Sequence, residues 1–435
     1  YGAPDDLKRL IDQAHALKIM VLLDVVYNHF GPSGNFLPAY ASAFFKEAEK
    51  TPWGAAINFD GPQSSHVRNY FIHNALYWLE EFHFDGLRFD AVHAFVDQSE
   101  PSFLEDLGSR IKKAFPNRRI HLVLENEKNA ARWLARENNG GQRLFTAQWN
   151  DDLHHCWHRL MTGESEGYYE DFDHPARRLG RGLAEGFVYQ GETSRHLGGQ
   201  ARGEPSSDLP PPAFVAFLQN HDQIGNRAFG ERIAQLASFE RVSLANAVLL
   251  LCPQIPMFFM GEEWDASAPF LYFFDIAEDP ALSKAVREGR QREFARFAAF
   301  AESKSAESIP DPTAASTFTR SKIDWSERAR EPHAARLAAV RELLRLRREH
   351  IVPLIASKFV SAAHAISDQD LLCVDWRFGA GRLRLVLNVG AQTITCAPKP
   401  GERRLWASPA AQVAPERCLL PSWTALFMTG TASDA

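Results

Sequence analysis

The stretch Gly86–Asp90 (GLRFD) places an arginine and a carboxylate two residues apart on one face of a predicted strand. Apolar Leu87 and Phe89 alternate with Arg88 and Asp90, which is the two-residue period of a β-strand. Desolvating an unpaired charge is costly, so we expect the two charged groups to be paired. An arginine beside an aspartate keeps that carboxylate ionised, as a nucleophile requires. A purely structural ion pair at a strand end is the alternative.

Two further carboxylates follow predicted strands, and together with Asp90 they could cleave a glycosidic bond. Glu125 ends the run His121–Leu124, and Asp222 follows the run Phe217–His221. If these strands are neighbours in a barrel, the three carboxylates converge on one pocket. Two carboxylates about 5–5.5 Å apart can hydrolyse with retention, one attacking the anomeric carbon while the other protonates the leaving oxygen. A third nearby would raise the pKa of the acid, although capping a helix is the alternative for any single one.

The elements that would position these residues alternate between strand and helix. Nearly continuous apolar runs predict buried parallel strands, and stretches of helical periodicity lie between several of them. Polar residues follow each strand, which is typical of a (β/α)8 barrel, whereas a doubly wound sheet concentrates its site at one switch point. The predicted strands are 19–26, 86–90, 120–125, 145–149, 214–219 and 255–260, and the predicted helices are 5–18, 67–82, 231–251 and 334–348.

Six strands where a barrel needs eight predict an α/β (β/α)8 TIM barrel without its first two strands, over residues 1–350. The chain begins at Tyr1 rather than Met, which we take as the sign of a fragment. A polar segment rich in Pro and Ser, 303–332, predicts a long loop. Runs that alternate over 371–378, 383–389 and 423–429 predict a small antiparallel β-sandwich domain over 351–435.

Composition excludes several classes of function. The 435 residues are 45% hydrophobic and 23% charged with a net charge of −6, which is typical of a globular protein. There is no basic cluster interleaved with aromatic residues, so we expect no nucleic-acid partner, and the apolar runs are too short to span a membrane. The five cysteines are scattered without CxxC spacing, which favours reduced thiols in a cytoplasmic protein over a zinc site or a disulfide framework. The sequence does not indicate an oligomeric state.

Four segments resemble, in order, the signature regions of the α-amylase superfamily of glycoside hydrolases: 24–29 (DVVYNH), 86–90, Glu125 after a strand, and 220–222 (NHD). The resemblance implies that Asp90 is the nucleophile, Glu125 the general acid/base and Asp222 the transition-state stabiliser. These roles require no cofactor.

The same resemblance implies roles for the residues beside the carboxylates. Arg88 would orient Asp90, and His29 and His221 would contact the sugar at the cleavage subsite. Asn28 is a further substrate-binding candidate at a position that binds calcium in some members. No clear set of oxygen ligands accompanies Asn28, so we predict no required metal, and a hydrogen bond from Asn28 to loop backbone is the alternative.

Longer stretches are similar to the maltooligosyltrehalose trehalohydrolase family. They are 51–54 with 58–62, 148–155, 219–227 (QNHDQIGNR), 260–264 and 311–325. The similarity implies hydrolysis of the α-1,4 bond beside a terminal trehalose, in trehalose biosynthesis, with a maltooligosyltrehalose or related α-glucan as the partner. Alternatives are a glycogen branching or debranching enzyme of the same superfamily, or a catalytically inactive carbohydrate-binding relative. The three intact carboxylates argue against the inactive relative.

Other residues near the strand ends are candidates for binding the sugar chain. Tryptophan rings can cover the apolar face of a pyranose, and polar groups after the sixth strand could read the trehalose hydroxyls. Packing at the rim is the alternative for Trp53, and capping of the next helix is the alternative for one of Asp151 and Asp152. His154, His155 and His158 have metal-ligand spacing, but a packed or solvated helix face is favoured over zinc. The candidates are Trp53, Gln148, Trp149, Asp151, Asp152, Gln219 and Glu262.

Overall fold

The structure is a computed structural model of the chain, and it describes residues 2–31, 34–51, 54–138, 140–275, 280–294 and 309–431. Two compact units are present. The first comprises Tyr1–Trp149, Tyr189–Glu192 and Arg202–Val215, and the second comprises Asn150–Val188, Thr193–Ala201 and Ala216–Ala435.

Helices and strands alternate along most of the described residues. The strands are β1 (Leu22–Val25), β2 (Phe45–Thr51), β3 (Gly54–Ile57), β4 (Gly86–Phe89), β5 (His121–Leu124), β6 (Ala147–Trp149), β7 (Glu192–Ser194), β8 (Gln200–Arg202), β9 (Phe214–Ala216), β10 (Ile255–Pro256), β11 (Phe359–Ile366), β12 (Leu371–Phe378), β13 (Gly381–Asn388), β14 (Ile394–Cys396), β15 (Arg403–Ala407), β16 (Gln412–Val413), β17 (Cys418–Leu420) and β18 (Thr424–Gly430).

The α-helices are α1 (Pro4–Ala16), α2 (Leu37–Tyr40), α3 (Ser64–Glu81), α4 (Phe103–Ala114), α5 (Asp151–Thr162), α6 (Pro175–Glu185), α7 (His221–Gly225), α8 (Ile233–Leu236), α9 (Phe239–Leu251), α10 (Pro280–Phe294), α11 (Ala315–Arg320), α12 (His333–Leu346) and α13 (Val352–Ile355). Short 3-10 helices connect them at Ser42–Phe44, Val92–Ala94, Ala131–Leu134, Gly167–Asp171, Pro211–Ala213, Glu262–Trp264 and Trp325–Ala329, and Arg347–Ile351 is a π-helical turn. None of the described helices is both long and apolar enough to cross a membrane.

A parallel sheet organises the first unit, with strands in the order β1-β4-β5-β6-β9. All four residues of β4 are buried, as expected for a strand that has parallel neighbours and helices packed on its faces. The register pairs Asp24 of β1 with Arg88 of β4, and Arg88 with Val123 of β5. The predicted α/β class with a parallel sheet is therefore confirmed.

The close approach of β4 and β5 depends on the glycine that begins the GLRFD stretch. A Cβ atom at Gly86 would lie 2.0 Å from the carbonyl oxygen of His121, far inside van der Waals contact. Any side chain at this position would push β5 away from β4 and disturb the strand ends that follow.

The second unit contains the antiparallel β domain, in which a five-stranded sheet (β11-β12-β13-β18-β15) and a three-stranded sheet (β14-β17-β16) share a core. Val386, Leu426 and Met428 from the larger sheet pack with Cys418 and Leu420 from the smaller one. This packing of two antiparallel sheets confirms the predicted fold class of the C-terminal region.

Two sequence predictions about local structure were wrong. The predicted helix 231–251 is two helices, α8 and α9, because the hydroxyl of Ser238 accepts a hydrogen bond from the backbone N–H of Arg241 (3.4 Å) and begins a new helix. The described part of the predicted loop 303–332 contains α11 and the 3-10 helix Trp325–Ala329. There Asp324 caps the 3-10 helix by accepting from the N–H of Ser326, so polar residues initiate helices rather than extend a loop.

Several predicted strands are shorter in the structure. Strand β9 ends at Ala216 although apolar residues continue to Leu218, and β10 comprises only Ile255–Pro256. The residues after these shortened strands leave the ladder, so their side chains no longer alternate strictly between two faces.

Candidate active site

The chain turns sharply just after β4, and this turn aims Asp90 and Ala91 at the end of β5. The backbone N–H of Asp90 still donates to the carbonyl of Val25 on β1 (3.0 Å). Ala91 then adopts a left-handed conformation with φ of 41°, which a side chain rarely adopts without compensation. Its N–H donates to Oε2 of Glu125 (2.8 Å), so the strained turn is stabilised by the carboxylate at the end of the neighbouring strand.

Arg88 connects three carboxylates from three adjacent strands. Its Nη1 donates to Oδ1 of Asp90 (2.7 Å) and to Oδ1 of Asp24 (2.8 Å), and its Nη2 lies 2.7 Å from Oε2 of Glu125. The arginine side chain is only 6% exposed, and its partners Asp24, Asp90 and Glu125 are 48%, 25% and 17% exposed. One cation facing three acids leaves an excess of negative charge, which favours protonation of one of the acids.

Asp90 is held in its ionised form. Burial alone would raise the pKa of Asp90, but the charge of Arg88 and hydrogen bonds from Arg88, Asn28 and Glu125 outweigh burial and lower that pKa. Asn28 Nδ2 donates to Oδ2 of Asp90 at 3.0 Å.

His29 extends this arrangement from the β1 side. Its Nδ1 is hydrogen bonded to Oδ1 of Asn28, whose amide also donates to the backbone carbonyl of Asp90 (3.3 Å). Burial lowers the pKa of His29 and the nearby charge of Asp90 only partly offsets this, so the ring is neutral near pH 7. Because the Asn28 oxygen can only accept, Nδ1 carries the proton and Nε2 remains an acceptor. Asn28 is itself 2% exposed and acts chiefly on Asp90.

Trp149, predicted to stack on sugar, stacks on Arg88 in the structure. The guanidinium carbon of Arg88 lies 4.1 Å from the centroid of the ring, a cation–π distance. The tryptophan thus covers the cation that organises the carboxylates.

The side-chain amide of Gln148 is engaged by the loop after β5. The side chain is fully buried, and its Nε2 donates to the carbonyl of Asn126 (2.9 Å) and to Oδ1 of Asn129 (3.3 Å). The amide braces the loop after β5, and a contact of Gln148 with sugar hydroxyls stays a prediction.

The second unit holds Asp222 and His221 in the short helix α7. Asn220 caps this helix, because its Oδ1 accepts from the N–H of Asp222 (2.9 Å) while its own N–H donates to Oε1 of Gln223 (2.9 Å). The side chains of His221 and Asp222 are 42% and 46% exposed, with Nε2 of His221 3.5 Å from Oδ1 of Asp222. Both are accessible to a ligand.

Asp151 and Asp152, at the start of α5, differ in accessibility. Asp152 is fully buried and its Oδ2 accepts from the N–H of Val188 (2.8 Å), so it braces the backbone, and its sugar contact stays a prediction. Asp151 is half-buried and accepts from Nε2 of Gln223 (3.4 Å). Of the two, Asp151 keeps the accessible side chain that substrate binding would need.

Gln219 and Glu262, both predicted to bind substrate, are also buried. Oε1 of Gln219 accepts from the N–H of Ile233 (2.8 Å), and Oε2 of Glu262 accepts from the N–H of Phe259 (3.0 Å). Burial raises the pKa of Glu262 to about 8, so its carboxyl is largely protonated at neutral pH. Substrate binding by Gln219 and Glu262 stays a prediction, as it does for Gln148 and Asp152. Trp53 lies outside the described residues.

The sequence analysis did not identify the roles of two residues, Asp24 and His154. Asp24 is a third partner of Arg88, and its signal is the pairing of the DVVYNH and GLRFD strands, which places Asp24 opposite Arg88. His154 is 1% exposed and hydrogen bonded to the carbonyl of Leu218 (2.6 Å), a contact that no local pattern indicates. In the described part of the chain, no group of three His, Cys, Asp or Glu side chains could hold a metal ion.

Comparison with known proteins finds a matching family model and several similar relatives. Residues 359–427 match the family model described as a domain of unknown function (DUF3459). The chain is similar to the malto-oligosyltrehalose trehalohydrolase of Deinococcus radiodurans, with 40% identity over 90% of this chain and 62% of that protein. It is also similar to that of Mycobacterium tuberculosis (H37Rv), with 38% identity over 94% of this chain and 69% of that protein. The chain thus spans about two thirds of the length of these relatives.

Among solved structures, a putative alpha amylase from Salmonella typhimurium superposes with a TM-score of 0.91 at 44% identity, covering 99% of this chain and 71% of that one. This likeness confirms the predicted fold class, an α/β barrel of the α-amylase type followed by an antiparallel β domain.

Proposed function

Because the chain belongs to the malto-oligosyltrehalose trehalohydrolase family, we propose that it hydrolyses the α-1,4-glucosidic bond beside the terminal trehalose of a maltooligosyltrehalose. The products are trehalose and a shorter maltooligosaccharide. One observation supports the proposal most directly: the buried guanidinium group of Arg88 contacts both Asp90 and Glu125. This contact holds together two carboxyl groups, of which one would attack the sugar and the other would donate a proton to the leaving oxygen.

Asp90 acts as the nucleophile. Its lowered pKa keeps it ionised, and the hydrogen bond from Asn28 together with the ion pair to Arg88 fixes its direction. Attack on the anomeric carbon forms a covalent glycosyl-enzyme, and the C–O bond to the trehalose unit breaks.

Glu125 acts as the general acid and then as the general base. Its proton passes to the oxygen of the departing trehalose, after which the carboxylate removes a proton from the attacking water. The water then breaks the bond between Asp90 and the sugar, and the anomeric configuration is retained. Arg88 and the N–H of Ala91 hold Glu125 through both steps.

Asp222 stabilises the positively charged transition state, a role supported by its exposure and its place in the family motif. His29 and His221 bind the sugar at the cleavage subsite, and for His29 a neutral ring with an acceptor nitrogen suits a sugar hydroxyl. Asp151 remains a candidate for the trehalose side. No metal or cofactor is needed for these steps.

We also propose a cytoplasmic location, which is supported by five cysteines without a disulfide. We propose a domain boundary near residue 350, which is supported by the separate core of the two C-terminal sheets and by the family-model match that begins at residue 359.

Product analysis tests the proposed function. The purified protein is incubated separately with maltotriosyltrehalose and with maltopentaose, and Asp90→Asn serves as the control for contaminating activity. Trehalose from the first substrate, with the second nearly untouched, would support the proposal. Glucose and maltose from maltopentaose would indicate a general amylase. New α-1,6 branches or debranched chains would favour the branching or debranching alternatives, and sugar binding without product would favour an inactive relative.

A further inference from the structure

The segment that carries Asp222 is held by a histidine from α5. His154 lies on the buried face of this helix, within a cluster of rings. Its ring is 6.1 Å from that of Phe217 with an interplanar angle of 19°, and 5.9 Å from that of Tyr169. The histidine is therefore packed against the residue that directly precedes Leu218.

The hydrogen bonds of His154 fix its tautomer. Nδ1 lies 2.6 Å from the carbonyl oxygen of Leu218, which can only accept, so Nδ1 carries the proton. Nε2 then accepts from the hydroxyl of Tyr169 at 3.1 Å. Burial and, to a lesser extent, the neighbouring His158 lower the pKa of His154 to about 3, so the ring stays neutral and keeps both bonds at any pH near neutrality.

Leu218 lies in the short connection that leads from the end of β9 to Asp222. The far end of that connection is fixed by the Asn220 cap, and Gln223 of α7 reaches back to Asp151, the first residue of α5. Helix α5 thus contacts the segment at two points, through His154 before Asp222 and through Asp151 after it. The connection lacks strand pairing over this stretch, so side-chain contacts determine its course.

We propose that His154 is a positioning residue for Asp222, acting through its hydrogen bond to the carbonyl of Leu218. The inference rests on the proposed function, because it gives Asp222 a catalytic role. A histidine that only filled space in the ring cluster would affect folding, whereas a positioning histidine also sets the geometry of the catalytic carboxylate.

Two substitutions of His154 separate the hydrogen bond from the packing. In His154→Asn the amide nitrogen occupies the position of Nδ1 and can still donate to Leu218. In His154→Gln the amide reaches the position of Nε2, so the bond to Leu218 is lost while a bond to Tyr169 remains possible. Both variants bury one amide, and His155→Gln is the matched control on the same helix, where the ring packs against Phe172 at 4.8 Å.

The first readout is hydrogen–deuterium exchange of peptides covering residues 218–226, which does not depend on activity. We expect His154→Gln to speed exchange in this segment at least about tenfold relative to the wild type. The exchange rates of His154→Asn and His155→Gln should stay close to that of the wild type. Unchanged exchange in His154→Gln, or an equal increase in all three variants, would overturn the inference.

The second readout is kinetics on maltotriosyltrehalose, expressed per folded protein. We expect His154→Gln to lower kcat about tenfold with KM within twofold, and His154→Asn to restore kcat. A wild-type kcat in folded His154→Gln would overturn the inference. If the wild-type protein releases no trehalose, the proposed function fails, while the exchange experiment still decides whether His154 holds the segment.

Discussion

Asp90 in the first unit and Asp222 in the second both follow an apolar strand, yet the structure holds them in opposite ways. The carboxylate of Asp90 is bound directly by Arg88 and Asn28, and its side chain is 25% exposed. Asp222 is 46% exposed, and its ordered hydrogen bonds run through its backbone N–H and the Asn220 cap.

This difference matches the demands that the two positions would meet. A nucleophile must be ionised and aimed, and direct charge contacts with a shielded cation achieve both. A carboxylate that stabilises a transition state must be in the right place but free to meet the sugar, which fixation through the backbone allows. Substitutions of the residues that bind Asp90 should therefore alter the protonation of its carboxylate. Substitutions around Asp222 should instead alter the position of Asp222 or the stability of the protein.

The largest effect is expected for Asp90→Asn. The amide cannot form the glycosyl bond, so kcat should fall at least about 10³-fold while affinity for maltotriosyltrehalose changes little. Trehalose release and isothermal titration calorimetry measure the two quantities. A variant that keeps more than a tenth of wild-type kcat would contradict the assignment.

Arg88→Lys should come next, because a point charge cannot bind three carboxylates at once. We expect kcat to fall on the order of 10²-fold. Because Arg88 lowers the pKa of Asp90, weakening this contact should raise that pKa and move the acid limb of the kcat/KM profile to higher pH. An unmoved acid limb would show that Arg88 does not control the ionisation of Asp90.

In the second unit, Asp152→Leu should destabilise without altering catalysis. It leaves the N–H of Val188 buried without an acceptor, a loss of about 1–3 kcal/mol in the free energy of unfolding. Asp152→Asn keeps an acceptor and is the matched control. Denaturant unfolding gives stability, and a KM for the sugar that rises more than about threefold in the folded Leu variant would support the substrate-binding interpretation.

The last effect is confined to stability at alkaline pH and is expected for Glu262→Gln. Burial raises the pKa of the Glu262 carboxyl to about 8 in the folded protein, whereas its ordinary value is 4.5. Between these two pH values the folded protein therefore keeps a proton on Glu262 that the unfolded protein has released. Stability from this group is therefore greatest below that window and falls as pH rises through it. Glutamine removes this loss, so the variant should be more stable than the wild type by at least about 1 kcal/mol at pH 8.5, and the gain should shrink toward pH 5. Thermal unfolding at both pH values measures it, and a constant difference would contradict the explanation.

Structural features that depend on a local sequence pattern could be predicted from the sequence. The parallel strands follow from apolar runs, and the pairing of Arg88 with Asp90 follows from their two-residue spacing and is confirmed at 2.7 Å. The position of Asp24 opposite Arg88 required the register between two strands that are distant along the chain.

The burial of several polar candidate residues could not be predicted from the sequence, for a physical reason. Gln148 lies within β6 and Gln219 lies shortly after β9, near strand ends where cleft-lining residues also occur. Sequence position alone therefore cannot tell which polar groups brace a backbone N–H or carbonyl. That distinction depends on which loop covers each side chain. For the same reason the contact of His154 with Leu218 could not be anticipated.

The most direct test of the contrast between Asp90 and Asp222 is to trap the covalent intermediate. Glu125→Gln is incubated with an α-maltosyl fluoride, whose leaving group needs no acid, and the adduct is located by peptide mass mapping. The account predicts a glycosyl adduct on Asp90, and none on Asp222. An adduct on Asp222, or turnover of the fluoride with inverted configuration and no adduct, would contradict it.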